Sequence, residues 1–343
     1  MSALIAIWIA MNMDFKKRNY HGVFNYIFFA LMFAYILLFG LRSIDIGTDT
    51  GMYHYQYTHF EDITFGTDAP VGLLFKFLNN FSENPQLFLF LMSFLFVLVY
   101  FYSLNKFTDF NGSNFFLVGF SLTSLFFFET LGINIIRQGV SIAFFVFAIS
   151  FRYFSPNDKI KWIFLLILSV GFHFTSLIPI LMYVLVVRLK KINVKYYYYL
   201  YVISALLSGI NFSILSFKDY FIGLLFIDER RSSYLIDDFD EYTVGFKPQF
   251  VLFNSIFLIL FIYFNKIEKN DYYTNLLKYY IFMSAIFFMM FQIPYSDRWG
   301  IMSWCVIPLL FAPMFKVDES KISIKATSSI LFLIFVFIFF QSR

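Results

Sequence analysis

The run Gln86-Leu-Phe-Leu-Phe-Leu-Met-Ser-Phe-Leu-Phe-Val-Leu-Val-Tyr-Phe-Tyr-Ser-Leu104 decides the fold class, because no charge interrupts it. As a helix rising about 1.5 Å per residue it extends about 28 Å, close to the roughly 30 Å hydrocarbon core of a bilayer. Its apolar residues do not alternate with polar ones, which argues against a barrel strand. Runs of similar character recur along the chain. Of 343 residues, 60% are apolar, 24% aromatic and only 14% charged, which is more apolar surface than a soluble core could hide. The expected fold is therefore an all-α polytopic membrane protein, a single integral membrane domain over residues 1–343. A net charge of +4 is no nucleic-acid signature here, since the basic residues sit in short loops between apolar runs. Cys305 is the one cysteine, which excludes an internal disulfide and a cysteine-based metal cluster.

Those basic residues set an orientation. Met1–Met13 is apolar but short, read as a short membrane helix or one whose start lies upstream, and Lys16, Lys17 and Arg18 after it mark a cytoplasmic loop. Val23–Leu41 then crosses outward, Gln86–Leu104 inward and Phe115–Leu131 outward, and a helix ending at Phe154 returns. Basic clusters at Arg152–Lys161 and Arg188–Lys195 are too close for two full crossings between them, which would take about 40 residues. A re-entrant hairpin of two short helices fits, turning at Gly171-Phe-His173-Phe-Thr175-Ser176. Tyr196–Ser216, Gln249–Phe264, Tyr279–Ile293, Gly300–Phe315 and Thr327–Phe340 complete about ten transmembrane helices. The external loops are 42–85, with a short interfacial helix at Val71–Phe81, and 217–248. The first carries six acids against Arg42 and Lys76.

Polar groups concentrate where this orientation has an outer face. Arg42-Ser-Ile-Asp45-Ile-Gly47-Thr48-Asp49-Thr50-Gly51-Met-Tyr53 holds one arginine, two acids, two threonines and two glycines within a dozen residues. Glycines permit turns that aim successive N–H groups at an anion, and arginine adds a fork suited to phosphate. The same stretch could also be a solvated loop capping a helix. Arg137 and Gln138 follow at the mouth of the next helix, His173 sits at the hairpin break, Arg230 and Arg231 lie in the second external loop, and Tyr295-Ser-Asp297-Arg298-Trp299 closes a late turn. Arginines outside oppose the usual bias of basic residues toward the cytoplasm, which favours a site over an orientation signal. Several guanidiniums around one cavity repel unless an anion holds them, and a pyrophosphate would accept forked hydrogen bonds from more than one. Asp45, Asp49 and His173 are candidates for general base. No Walker loop, His-Glu-x-x-His helix or Gly-x-Ser-x-Gly elbow is present, and Asp45 and Asp49 stand four apart rather than as the Asp-x-Asp pair of sugar-nucleotide enzymes, which favours a lipid-linked donor.

Arg42…Gly47-Thr48-Asp49-Thr50…Tyr53, then Ile136-Arg137-Gln138-Gly139, then His173-Phe-Thr-Ser176 and a late Arg298 resemble the EpsG family of Wzy-type polysaccharide polymerases, which make O-antigen, capsule or exopolysaccharide. The resemblance implies a fold like the lipid-dependent GT-C membrane glycosyltransferases. It also implies joining of undecaprenyl-pyrophosphate-linked oligosaccharide units at the outer face of a bacterial inner membrane, with no cofactor and no metal. Under it, Arg42, Arg137 and Arg298 would stabilise the leaving pyrophosphate, and Asp49 or His173 would be the base, Asp49 slightly preferred. Asp45, Thr48, Thr50, Tyr53, Gln138, Arg230, Arg231 and Tyr295 would bind substrate. Expected partners are the lipid-linked oligosaccharide, membrane lipid, a chain-length regulator and a flippase, with no nucleic acid. The alternatives are a flippase or transporter of the same lipid-linked unit, or a membrane acyltransferase.

Overall fold

A computed structural model describes residues 20–62, 69–214, 244–268, 270–316, 334, 335 and 338. Met1–Met13, Arg230, Arg231, most of the 217–248 loop and most of the Thr327–Phe340 run lie outside these residues. Among the described residues every regular element is a helix, with one isolated bridge between Ser113 and Lys316.

In chain order the first unit holds α1 (Tyr20–Gly40), α2 (Thr50–Thr58), α3 (Ala69–Asn79), α4 (Gln86–Asn111), α5 (Phe115–Thr123), α6 (Phe126–Ile133), α7 (Ile136–Phe154) and α8 (Lys159–Phe172). It ends at Ser176 and takes in the chain from Phe311 onward. The second unit, Leu177–Leu310, holds α9 (Leu177–Arg188), α10 (Val194–Gly209), α11 (Pro248–Glu268), α12 (Asp271–Met289) and α13 (Asp297–Trp304), with α14 (Ile307–Phe311) at the boundary.

The helices start where the sequence supplies caps. Side chains of Asn114, Asp158, Asn193 and Asn270 accept the orphan N–H of Leu117, Lys161, Lys195 and Tyr273 at the N-termini of α5, α8, α10 and α12. Gly112, at φ +69°, stops α4 in the left-handed conformation that a side chain resists.

Three described helices are long and apolar enough to cross a membrane: Gln86–Asn111, Pro248–Glu268 and the helical run Asp297–Phe315. A fourth counts if α5 and α6 are one broken span, while Phe29–Gly40 and Phe174–Arg188 are apolar but shorter. The ten expected crossings thus exceed those met by length and composition among the described residues. Phe115–Leu131, expected as one crossing, is bent by 73° between α5 and α6. The break lies at Leu125, whose extended backbone interrupts the helix, just after Ser124 bonds its hydroxyl back to the Phe120 carbonyl at 2.6 Å. The short helix expected at Val71–Phe81 is α3, and the break expected near His173 is present. There α8 ends in an extended His173, followed by a single 3₁₀ turn at Phe174–Ser176.

In the first unit α4 lies between α1 and α7, burying Phe88, Met92, Phe96 and Tyr100, and the Ser103 hydroxyl meets that of Ser150 on α7 at 3.0 Å. In the second unit α12 packs against α9, α10, α11 and α13. A fully buried Asn254 ties three of these helices. Its Oδ1 accepts from Tyr280 at 3.2 Å, Ser284 at 2.9 Å and Trp304 Nε1 at 3.2 Å, while its Nδ2 donates to the Phe250 carbonyl.

Candidate functional site

The polar loop after α1 is folded around Arg42, which is only 3% exposed. Its Nε donates to Thr50 Oγ1 at 3.0 Å, its Nη2 to the Ile133 carbonyl at 2.9 Å and its Nη1 to the Phe39 carbonyl. Phe39 and Ile133 belong to the last turns of α1 and α6, where backbone carbonyls lack helical partners and the helix dipole is negative. One guanidinium therefore satisfies two helix ends and, through Thr50, the start of α2. Thr50 passes the bond on to the Ile46 carbonyl at 2.6 Å.

Gly47 is fixed by two independent constraints. Its φ is +89°, and a Cβ there would fall 2.6 Å from Ile133 Cγ2 and 2.7 Å from Asn134 Oδ1. That close approach lets the Thr48 N–H donate to Asn134 Oδ1 at 2.9 Å. Tyr53, buried on α2, donates its hydroxyl to the Asn134 carbonyl at 3.1 Å, and the Arg137 guanidinium lies 5.9 Å from the centre of its ring. Asp49 begins α2 and accepts the Thr48 hydroxyl at 3.1 Å, and the exposed Asp45 accepts that of Ser43 at 3.2 Å. Thus the Gly-Thr-Asp-Thr stretch and the Arg-Gln-Gly stretch, some 90 residues apart, form one structure.

Arg137 is half-exposed and Gln138 buried in the first turn of α7, whose N-terminal end carries partial positive charge. One turn further on, the Ser141 hydroxyl bonds to the carbonyl of Ser169 and to the hydroxyl of Ser176, while Ser169 Oγ returns a bond to the Ser141 carbonyl at 2.8 Å. All three serines are buried. They fasten the helix of Arg137 to both sides of the break that carries the half-exposed His173.

The second unit gathers a separate polar group. Tyr295, in the left-handed conformation at φ +56°, presents its ring 4.7 Å from the Arg298 guanidinium. Asp297 and Arg298 open α13. The half-buried Lys247 donates to the buried Ser296 hydroxyl at 2.9 Å. Burial lowers the pKa of the Lys247 ammonium, with the Asp297 carboxylate pulling the other way.

The first unit therefore assembles Arg42, Asp45, Thr48, Asp49, Thr50, Tyr53, Arg137 and Gln138, with His173 tied to the same helix. Tyr295 and Arg298 belong to the second unit. Sequence reasoning gave no role to Asn134, Ser141, Ser169, Lys247 or His54, and took Ser176 only as part of a motif. Asn134 receives both motif strands of the loop, and its signal was a polar residue directly before Ile-Ile-Arg-Gln-Gly. The serine trio is invisible as spacing because its members come from different segments. Lys247 reads as a loop end. His54, after Tyr53, has a buried Nε2 with no hydrogen-bond partner among the described residues, and burial together with the nearby Arg42 charge lowers its pKa. No group of three or more histidine, cysteine, aspartate or glutamate side chains able to hold a metal occurs among the described residues.

The family model described as the EpsG family matches residues 25–343. No curated protein and no solved structure matches the chain.

Proposed function

This chain belongs to the EpsG family, and from that membership we propose that it is a membrane polymerase of lipid-linked saccharide repeat units. Membership ties it to polysaccharide polymerisation in general, and its apolar helices make it a membrane protein. The finer reading is that undecaprenyl-pyrophosphate-linked oligosaccharides are joined at the outer face of a bacterial inner membrane, by a chain with the ten or so crossings expected from its sequence and a GT-C-like plan. In that reaction an acceptor hydroxyl at the non-reducing end attacks the anomeric carbon of the donor. A new glycosidic bond forms, the bond to pyrophosphate breaks, the hydroxyl proton passes to a base, and the carrier pyrophosphate departs with the electron pair.

The observation that carries the reading is the contrast between two arginines. Arg42 is buried and spends its donors on Thr50 and two helix-end carbonyls. Arg137 stands half-exposed at a positive helix end against Tyr53, beside the loop that carries Asp49. We assign Arg137 to the departing pyrophosphate, where preorganised positive charge contributes most, and keep Arg298, in the second unit, as a separate candidate for phosphate contact. Arg42 holds the loop in place. Asp49, half-exposed at the start of α2, is the preferred base and His173 the second. Thr48, Tyr53, Gln138, Tyr295, Arg230 and Arg231 remain candidates for saccharide or phosphate contact. A chain-length regulator and a flippase are the further partners proposed for it.

The test supplies purified protein in liposomes with its lipid-linked repeat unit, without nucleotide or metal. A product ladder is the expected result. A unit that stays monomeric but changes leaflet would replace polymerase by transporter.

A further inference from the structure

We propose that Lys247 is a phosphate-binding residue, forming with Arg298 a two-cation site on the second unit for the diphosphate group of a lipid-linked saccharide. The choice of a lipid-linked diphosphate rests on the polymerase reading; the anion site itself rests on the following geometry.

Three loop segments converge around the turn before α13. Gln292 Nε2 donates to Asn211 Oδ1 at 2.8 Å, the Gly245 N–H donates to the Phe291 carbonyl at 2.9 Å, and Lys247 Nζ donates to Ser296 Oγ at 2.9 Å. Asn211 at φ +59° and Tyr295 at φ +56° are both left-handed without being glycine. Such backbone costs about 1 kcal/mol or more and persists where surrounding contacts enforce it, often at sites. Here it brings the Ser296 hydroxyl and the Asp297 charge to Lys247, the residue before α11, with Arg298 two positions beyond Ser296.

Lys247 is the informative member. An ammonium has three hydrogens to donate, and the Ser296 hydroxyl takes one; the other two have no protein acceptor among the described residues. The group is half-buried, and burial disfavours its charge. A cation kept in that position with no carboxylate bonded to it among the described residues suits an anion that arrives from outside. Asp297, Lys247 and Arg298 together leave one net positive charge at the turn, which a diphosphate would reverse, so binding falls as salt rises. Ser296 holds the ammonium in position, and Tyr295 stacks under Arg298 at 4.7 Å. A lysine point charge beside an arginine fork is a combination suited to phosphate oxygens.

The experiment uses full-length protein in detergent micelles, inorganic pyrophosphate as the probe, and acetylation of individual lysines read by peptide mass spectrometry. Pyrophosphate is expected to protect Lys247 saturably while the exposed Lys159 labels at an unchanged rate. In Arg298→Gln the half-protecting concentration should rise about tenfold, the scale of one charge-assisted hydrogen bond. Lys247→Arg should retain pyrophosphate binding by calorimetry and Lys247→Gln should lose it. Unchanged labelling of Lys247 at millimolar pyrophosphate overturns the proposal, and because that measurement is made on the unaltered protein, it does not depend on how a variant folds. Protection of Lys247 in a protein that forms no polymer ladder would keep the anion site and remove the polymerase reading. A ladder with Lys247 unprotected would do the reverse.

Discussion

Arg42 and Arg137 look equivalent as letters, yet their surroundings give them opposite tolerances. Arg42 uses the geometry of the guanidinium, three bonds in three directions, and a lysine keeps the charge without that fork. Arg42→Lys is expected to lower stability by about 2–3 kcal/mol, since a buried acceptor left unpaired costs 1–3 kcal/mol. Arg137→Lys should leave the melting temperature unchanged and reduce polymer yield. Equal melting temperatures for both variants would contradict this division. Gly47→Ala meets two obstacles at once, a left-handed φ and atoms within 2.7 Å, and is expected to be at least as damaging as Arg42→Lys by thermal melting. His54 supplies a pH dependence. Its folded pKa is depressed, so the unfolded chain binds the proton more tightly. Stability is then fully present above the unfolded value of about 6.5 and falls as pH drops below it toward the folded value. His54→Gln should narrow the gap in melting temperature between neutral pH and moderately acidic pH; an unchanged gap would show that other groups cause it.

At the scale of elements, buried polar ties add to close aromatic and aliphatic packing between helices, because in lipid apolar contact alone gives little net drive to associate. Asn254 is the clearest case. Asn254→Leu leaves the Ser284 hydroxyl and Trp304 Nε1 without their shared acceptor, while Tyr280 keeps the backbone carbonyl of residue 254 at 3.0 Å, and should cost on the order of 2 kcal/mol, read as a lower melting temperature. A melting temperature equal to that of the unaltered protein would mean those groups find other partners. Helix existence was legible in the sequence wherever apolar runs were long and Asn or Asp supplied a cap, as at Asn114, Asp158 and Asn270. The break at His173 was legible too, from the spacing of flanking basic clusters. The 73° bend at Leu125 was not, because neither its extended backbone nor the serine bonding back before it leaves a trace in hydropathy. Asn254 and the Ser141, Ser169 and Ser176 trio were hidden for the same reason: single polar letters in apolar runs gain meaning only from what faces them.

For the whole molecule, membrane class and family were readable from composition and from the order of short motifs, and residues 25–343 match the EpsG family accordingly. Part of the neighbourhood of the candidate residues was readable. Gly47, Thr48 and Tyr53 do meet the stretch from Asn134 to Arg137, as two polar islands in an apolar chain suggested. Which arginine is structural was not readable, since burial and bond direction decide it. The most direct test of the central claim, that Arg137 acts on the leaving diphosphate while Arg42 builds its support, is polymer length in membranes carrying Arg137→Ala at unaltered protein level and melting temperature. The expected result is loss of the ladder with only monomeric lipid-linked units remaining. A ladder of ordinary length from that variant would contradict the claim.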